Sequence, residues 1–251
     1  MAVSSAVCVT GSAAKTMSLP FFITADPLSG RLSGPEGRHA VTVKRIQPGE
    51  HIMLIDGTGT TAEIRVTAVE GKDGLVGEVV DKQEVPRPVP RVTIVQAIPK
   101  SERAELAVDL ATQGGADAIV PWISHRTIAR WQGPKVSKNV EKWQATAREA
   151  AKQSRRAWIP QVHDPVTTNQ LAEMLAGKVA YVLHEDATVS IKDADLSADE
   201  IFLIIGPEGG IGEDELELLG AQAITLGPEV LRTASAGLAA LCAVGALTGR
   251  W

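Results

Sequence analysis

Five consecutive apolar residues, Ile201-Phe202-Leu203-Ile204-Ile205, run directly into Gly206-Pro207-Glu208-Gly209-Gly210. No polar residue interrupts the run, so both faces of the segment are expected to be buried. That is the mark of an inner strand of a parallel sheet. The strand empties into a turn whose glycines permit positive φ and let main chain approach a ligand closely. The device recurs downstream. Ala223 to Leu226 reads as a short strand, Gly227-Pro228 as a turn and Ser235 to Thr248 as a helix of small residues. In an open α/β sheet, ligands bind outside the carboxyl ends of the strands. Three turns qualify: the one after Leu183, the one at 206–210 and the one at 227–232. Such loops form a floor for something flat and polar.

The rest of the chain divides at Val85-Pro86-Arg87-Pro88-Val89-Pro90. Closely spaced prolines continue neither a helix nor a central strand, so 86–91 reads as a stiff linker. Before it lie short strands with turn punctuation, at Phe21 to Thr24, His51 to Asp56, Thr61 to Val69 and Leu75 to Val80. In Thr61 to Val69 the residues Ala62, Ile64, Val66 and Ala68 alternate with polar ones, the pattern of a half-buried strand. Only Gly37 to Ile46 looks helical there, which suggests a small closed barrel over 19–85. After the linker the pattern is strand–helix alternation. Strands are expected at Val92 to Ile98, Ala118 to Pro121 and Val179 to Leu183. Helices are expected at Ser101 to Gln113, Val136 to Trp158 and Asn169 to Ala176, the first with Ser101 as its cap. This predicts a mainly parallel sheet covered on both faces over 92–251.

Composition narrows the function. The formal net charge of −5 argues against indiscriminate nucleic-acid binding but leaves room for a local basic face. One exists: Lys135 to Arg156 carries seven basic residues against two acidic ones, a local charge of +5. Arg148, Lys152 and Arg155 fall on one helical face, with Trp143, Ala147 and Ala150 opposite, so the segment reads as a phosphate-contacting surface. Arg126 extends it. Cys8 and Cys242 match no disulfide or metal pattern, and Cys242 reads as a small core residue. No metal site is expected, and a reducing, cytoplasmic setting is the default. No apolar stretch approaches the roughly 20 residues that span a bilayer. Residues 1–18 read as a disordered extension, with Met17 an alternative start. The glycine turns lack the Gly-Lys-Ser/Thr of a triphosphate cradle. An adenine or ribose edge read by backbone groups suits them better.

Taken together, Ile-Ile-Gly-Pro-Glu-Gly-Gly and Leu-Gly-Pro-x-x-Leu-Arg-Thr-x-x-Ala resemble the paired C-terminal motifs of the SPOUT methyltransferases. Lys100-Ser101-Glu102-Arg103, Arg38-His39 with Arg45, and Glu149-Ala150-x-x-Gln153-Ser154-x-Arg156 narrow the resemblance to the RsmE group, which methylates N3 of a uridine in 16S ribosomal RNA. The similarity runs from Leu19 to Leu247. It implies a PUA-like β-barrel followed by an α/β domain with a trefoil knot, which periodicity does not reveal. It also implies S-adenosylmethionine as methyl donor, a homodimer, and a substrate within the assembled small subunit. By position, cofactor contacts fall on Leu183, Gly206, Pro207, Glu208, Gly209, Gly210, Leu226, Gly227, Leu231, Thr233 and Ala236. Arg232 and Glu208 take the catalytic positions. Arg38, His39, Arg45, Arg126, Arg148, Lys152, Gln153 and Arg156 are the expected RNA contacts. Members of the group commonly read Leu-Arg-Thr-Glu-Thr-Ala, where this chain has Ala234 and Ser235. Two other readings stand beside this one: ribose 2′-O methylation, and a non-catalytic RNA-binding assembly factor.

Overall fold

The computed structural model describes residues 19–129 and 131–251, with the side chains of Ser101 and Glu102 left aside. The expected extension at 1–18, Cys8 and the choice between Met1 and Met17 lie outside the described residues.

The N-terminal part is a five-stranded sheet: β1 (Phe21–Ile23), β2 (Arg31–Ser33), β3 (His51–Ile55), β4 (Thr60–Glu70) and β5 (Gly74–Glu84). Its order is β1-β3-β4-β5-β2, with β1 and β3 parallel and the other pairs antiparallel. The strands β1 and β2 end the path on opposite sides, so the hydrogen-bonded ring is not closed, contrary to the closed barrel expected from sequence. Ala62, Ile64 and Val66 of β4 face the core as their alternation requires, but Ala68 is exposed. The pairing shifts register between Val66 and Ala68, and this bulge turns the last third of the strand over. A short helix, α1 (Gly34–Arg38), continues as a π-helical turn to Val43 across the sheet.

The C-terminal part is an all-parallel sheet. Its strands are β6 (Arg91–Ala97), β7 (Ala118–Ile123), β8 (Gln161–Val162), β9 (Val166–Thr167), β10 (Val179–Leu183), β11 (Glu200–Ile205) and β12 (Gln222–Ile224). They run β12-β10-β11-β6-β7-β8, with β9 also paired to β7. Successive strand residues point to opposite faces. Ile201, Leu203 and Ile205 join one core cluster, and Phe202 and Ile204 the other. The first face is covered by α2 (Ser101–Gln113), α3 (Lys135–Gln153) and α6 (Thr233–Leu247), the second by α4 (Thr168–Leu175) and α5 (Glu213–Leu219). The helix α2 keeps its expected span, but its N-cap is Lys100, with Ser101 the first helical residue. Cys242 is half-buried, not enclosed as the apolar run around it suggested.

The helix α3 ends five residues earlier than its sequence pattern suggests. Arg155 takes a left-handed backbone conformation, φ 56. Arg155 N–H then donates to Lys152 O at 3.2 Å and Arg156 N–H to Ala151 O at 2.9 Å. These two bonds are the Schellman closure, here built without glycine. Beyond it, Trp158 leaves the helical path. Its indole N–H donates to Val85 O at 2.8 Å, and Arg87 stacks 4.3 Å above the ring. The segment therefore locks the linker between the two sheets.

Candidate active site

Parallel pairing sets the carboxyl ends of β10, β11 and β12 side by side. Leu183 is in register with Ile205 on one side and Ile224 on the other. Neighbouring strands lie about 4.8 Å apart, so the three turns that follow start within roughly 10 Å of one another. They enclose a cleft of about 460 Å³. That volume lies in the usual range of small-ligand sites, about 300–1,000 Å³.

The cleft is lined by Leu183, Gly206, Pro207, Glu208, Gly210, Leu226, Gly227, Leu231, Arg232, Thr233 and Ala236, with Ile205 and Ile224 among its apolar walls. All the residues marked from sequence for a cofactor or for chemistry therefore converge here, with one exception. Gly209 does not line the cleft; its carbonyl accepts a hydrogen bond from Arg126 Nη1 at 3.0 Å. Within the turn, Gly210 takes φ 72, which favours glycine, and its N–H donates to Pro207 O at 3.0 Å. In the neighbouring turn Thr225 Oγ1 donates to Gly227 O at 3.0 Å. His184 and Glu185, from the turn after β10, complete that side.

The loop after β7 buttresses this site. Glu215 of α5 is fully buried, and its Oε1 accepts from His125 N–H at 3.0 Å and Thr168 Oγ1–H at 2.6 Å. Trp122 Nε1–H donates to the same Thr168 hydroxyl at 3.2 Å. One carboxylate thus pins the residue before Arg126, and Arg126 pins Gly209. The sequence placed Arg126 with the RNA contacts; the structure places it against the glycine turn. The helix α5 carries no long apolar periodicity, so sequence reasoning missed it and Glu215 with it.

Arg103 also lines the cleft. It sits within the Lys100-Ser101-Glu102-Arg103 stretch, which marked the resemblance but suggested no role.

The remaining residues expected from sequence to contact RNA are dispersed. Arg38, Arg45, Arg148 and Gln153 are exposed, and Arg45 takes φ 57. His39 is half-buried and meets the Phe22 ring edge-on at 5.8 Å. Lys152 does not project from the face of Arg148. Its side chain is 3% exposed, and its ammonium pairs with Glu36 of α1 at 2.8 Å and Glu149 at 2.7 Å. Arg156 is also turned inward and donates to Thr112 O at 2.7 Å. Burial pushes its pKa down to about 10, with Asp117 opposing that shift and Arg250 adding to it.

The RNA methyltransferase domain family matches residues 85–245, and the RNA methyltransferase PUA domain family matches residues 32–80. The Ribosomal RNA small subunit methyltransferase E of Mycobacterium bovis is 46% identical over 247 residues, 94% of each chain. The protein of that name from Bacillus subtilis is 31% identical over 229 residues, 85% of this chain and 88% of that one. The Neisseria gonorrhoeae Ribosomal RNA small subunit methyltransferase E, solved bound to S-adenosyl methionine, aligns with a TM-score of 0.81 at 28% identity. That alignment covers 91% of this chain and 98% of the other. A Legionella pneumophila putative methyltransferase, solved with the same cofactor, gives a TM-score of 0.82 at 27% identity, covering 92% and 98%.

Proposed function

The chain belongs to the RNA methyltransferase family, and on that premise we propose that it methylates N3 of a uridine in 16S ribosomal RNA of the small subunit, with S-adenosylmethionine as donor. The observation that carries this reading is the convergence of three strand-end turns on one cleft together with Arg232.

The cleft suits that donor chemically. Leu183, Leu226 and Leu231 offer apolar surface for a purine, and the turns offer main-chain groups for its edge. Glu185, Glu208 and Glu229, all exposed, are among the lining residues and give the cleft a negative charge that suits a cationic nucleoside. The bound donor supplies an electrophilic methyl group on a sulfonium sulfur. The protein's share is placement and proton management. The turns would hold the donor and so confine its methyl group beside the acceptor nitrogen. Uracil N3–H is a weak acid and its nitrogen becomes a nucleophile only as the proton leaves. Glu208 is assigned as proton acceptor. Arg232, at the N-cap of α6, is assigned to stabilise charge developing on a uracil carbonyl oxygen.

The same reading includes a trefoil knot around the β11 and β12 turns, a homodimer, and a PUA-like domain over 19–85 joined by the 86–91 linker to a catalytic domain over 92–251. The strand order, in which the last strand β12 lies beyond β10, supports a chain that doubles back through its own C-terminal region. Val230, 76% exposed at the cleft, supports a partner subunit covering that edge. Exposed Arg38, Arg45, Arg148 and Gln153 are assigned to RNA, within the assembled subunit. No described helix is long and apolar enough to cross a membrane, and we assign the protein to the cytoplasm.

The test is incubation with unmethylated small subunits and labelled donor, followed by digestion and mass spectrometry of the nucleosides. A 3-methyluridine product is expected. Arg232→Ala is expected to lower the rate by about 10²–10³-fold with fold and donor affinity kept. A ribose 2′-O-methyl product, or none, refutes the assignment.

A further inference from the structure

Arg103 lines the cleft beside the three turns. Among the described residues its guanidinium has no hydrogen-bond acceptor and no carboxylate partner. By contrast Arg126 is held by Gly209 O and Arg156 by Thr112 O. Its place in the fold is electrostatically awkward. It is the third residue of α2, in the first turn, where a cation opposes the helix dipole. Arg232 sits at the N-cap of α6 under the same handicap. Two helices thus each spend an unfavourable first-turn arginine on one cleft. Stability gives no reason for either choice, and departures from local preference of this kind concentrate at functional sites.

The approach direction decides what Arg103 meets. The donor turns follow β10, β11 and β12. The helix α2 follows β6, which flanks β11 on the side away from β10 and β12. Arg103 therefore enters from the side of the cleft opposite the paired turns. Glu185, Glu208 and Glu229 also line the cleft. An anion forming among them is disfavoured unless cations face it directly.

Building on the uridine-N3 reading, we propose that Arg103 is a second catalytic cation, contacting the acceptor uracil at one carbonyl oxygen while Arg232 serves the other. When the N3 proton passes to Glu208, negative charge spreads over N3 and its two flanking carbonyl oxygens. A guanidinium at each oxygen stabilises that charge before the N3 lone pair forms the N–C bond. The C–S bond breaks in the same step and its electron pair returns to sulfur. Arg103 accordingly acts on the acidity of the acceptor, not on the hold of the donor.

The test uses the full chain and its Arg103→Ala and Arg103→Lys variants. Single-turnover rates are measured on unmethylated small subunits at saturating donor between about pH 7 and pH 10. Donor affinity by calorimetry, melting temperature and product identity are measured alongside. Arg103→Ala is expected to be about 10²-fold slower at neutral pH. Its deficit should shrink by up to about tenfold per pH unit, because rising pH restores the deprotonation that the missing cation favoured. Arg103→Lys should fall between, and donor affinity and melting temperature should stay at the wild-type level. A deficit that does not change with pH overturns the proposal. So does weakened donor binding that saturating donor rescues, which would place Arg103 on the donor's carboxylate. If the wild type itself marks an atom other than N3, the uridine-N3 reading fails and this assignment falls with it; product mapping of the wild type separates the two failures.

Discussion

Single residues show how one charge pattern can have two meanings. On a helical wheel Lys152 belongs with Arg148 and Arg155. In space it lies beneath them, enclosed with Trp143 and Ala147, because Glu36 of α1 comes across to meet it. Glu36 is also engaged by Ile23 N–H at 3.1 Å, so this pair joins α3 to the N-terminal sheet. Removing one partner of a largely buried pair strands the other. Lys152→Met is expected to cost about 2–3 kcal/mol in urea unfolding, and adding Glu36→Gln to that variant should cost much less than it does in the wild type. Additive losses would show that the pair is not coupled. The cleft residues were legible because glycine, proline and apolar residues in a fixed order have local meaning. The environments of Lys152, Arg156 and Glu215 were not, since each is set by a partner dozens of residues away.

At the scale of elements, legibility followed length and periodicity. The strand β11 and the helix α2 stand out as an unbroken apolar run and an amphipathic stretch that stops at Gly114-Gly115. The strands β2, β8 and β9, each of two or three residues, carry no periodic signal and were missed. The bulge in β4 and the left-handed stop of α3 were missed for another reason: both are backbone events that side-chain patterns do not encode. The β3–β4 turn is a case where local chemistry is explicit. Asp56 accepts hydrogen bonds from Thr58 and Thr60. Partial burial pushes its pKa up, but these bonds outweigh burial and hold it below the ordinary aspartate value of 3.8. The folded form therefore binds this proton less readily than the unfolded chain. The stabilisation is complete above the unfolded pKa and is lost as pH falls through the folded one. Asp56→Asn is expected to be less stable than wild type at pH 7, with the gap closing below about pH 4. Urea unfolding at the two pH values checks this; a gap that widens in acid contradicts it.

Over the whole molecule, the two sheets are tied together at one seam. Gly57 and Gly59 of the β3–β4 turn sit against Ile159 and Trp158, Thr58 bridges to Trp158, and Lys152 reaches α1 nearby. This seam fixes the N-terminal sheet relative to the methyltransferase sheet, as an enzyme that orients a large RNA requires. The prolines that suggest a division between the sheets stand out in composition. The seam and the threading proposed for the C-terminal region were not, because both depend on which distant segments meet.

If the turns after β10, β11 and β12 form one donor site, calorimetric titration with S-adenosylmethionine reports it. Gly227 lines the cleft, and a Cβ there would meet only Glu229 Oε2, at 3.6 Å, within 4 Å. Gly227→Phe therefore blocks the space without disturbing the core. One donor bound per wild-type chain and no detectable binding to Gly227→Phe are expected, with melting temperature unchanged. Absent binding to the wild type, or equal binding to both proteins, would rule out a shared donor site at these turns.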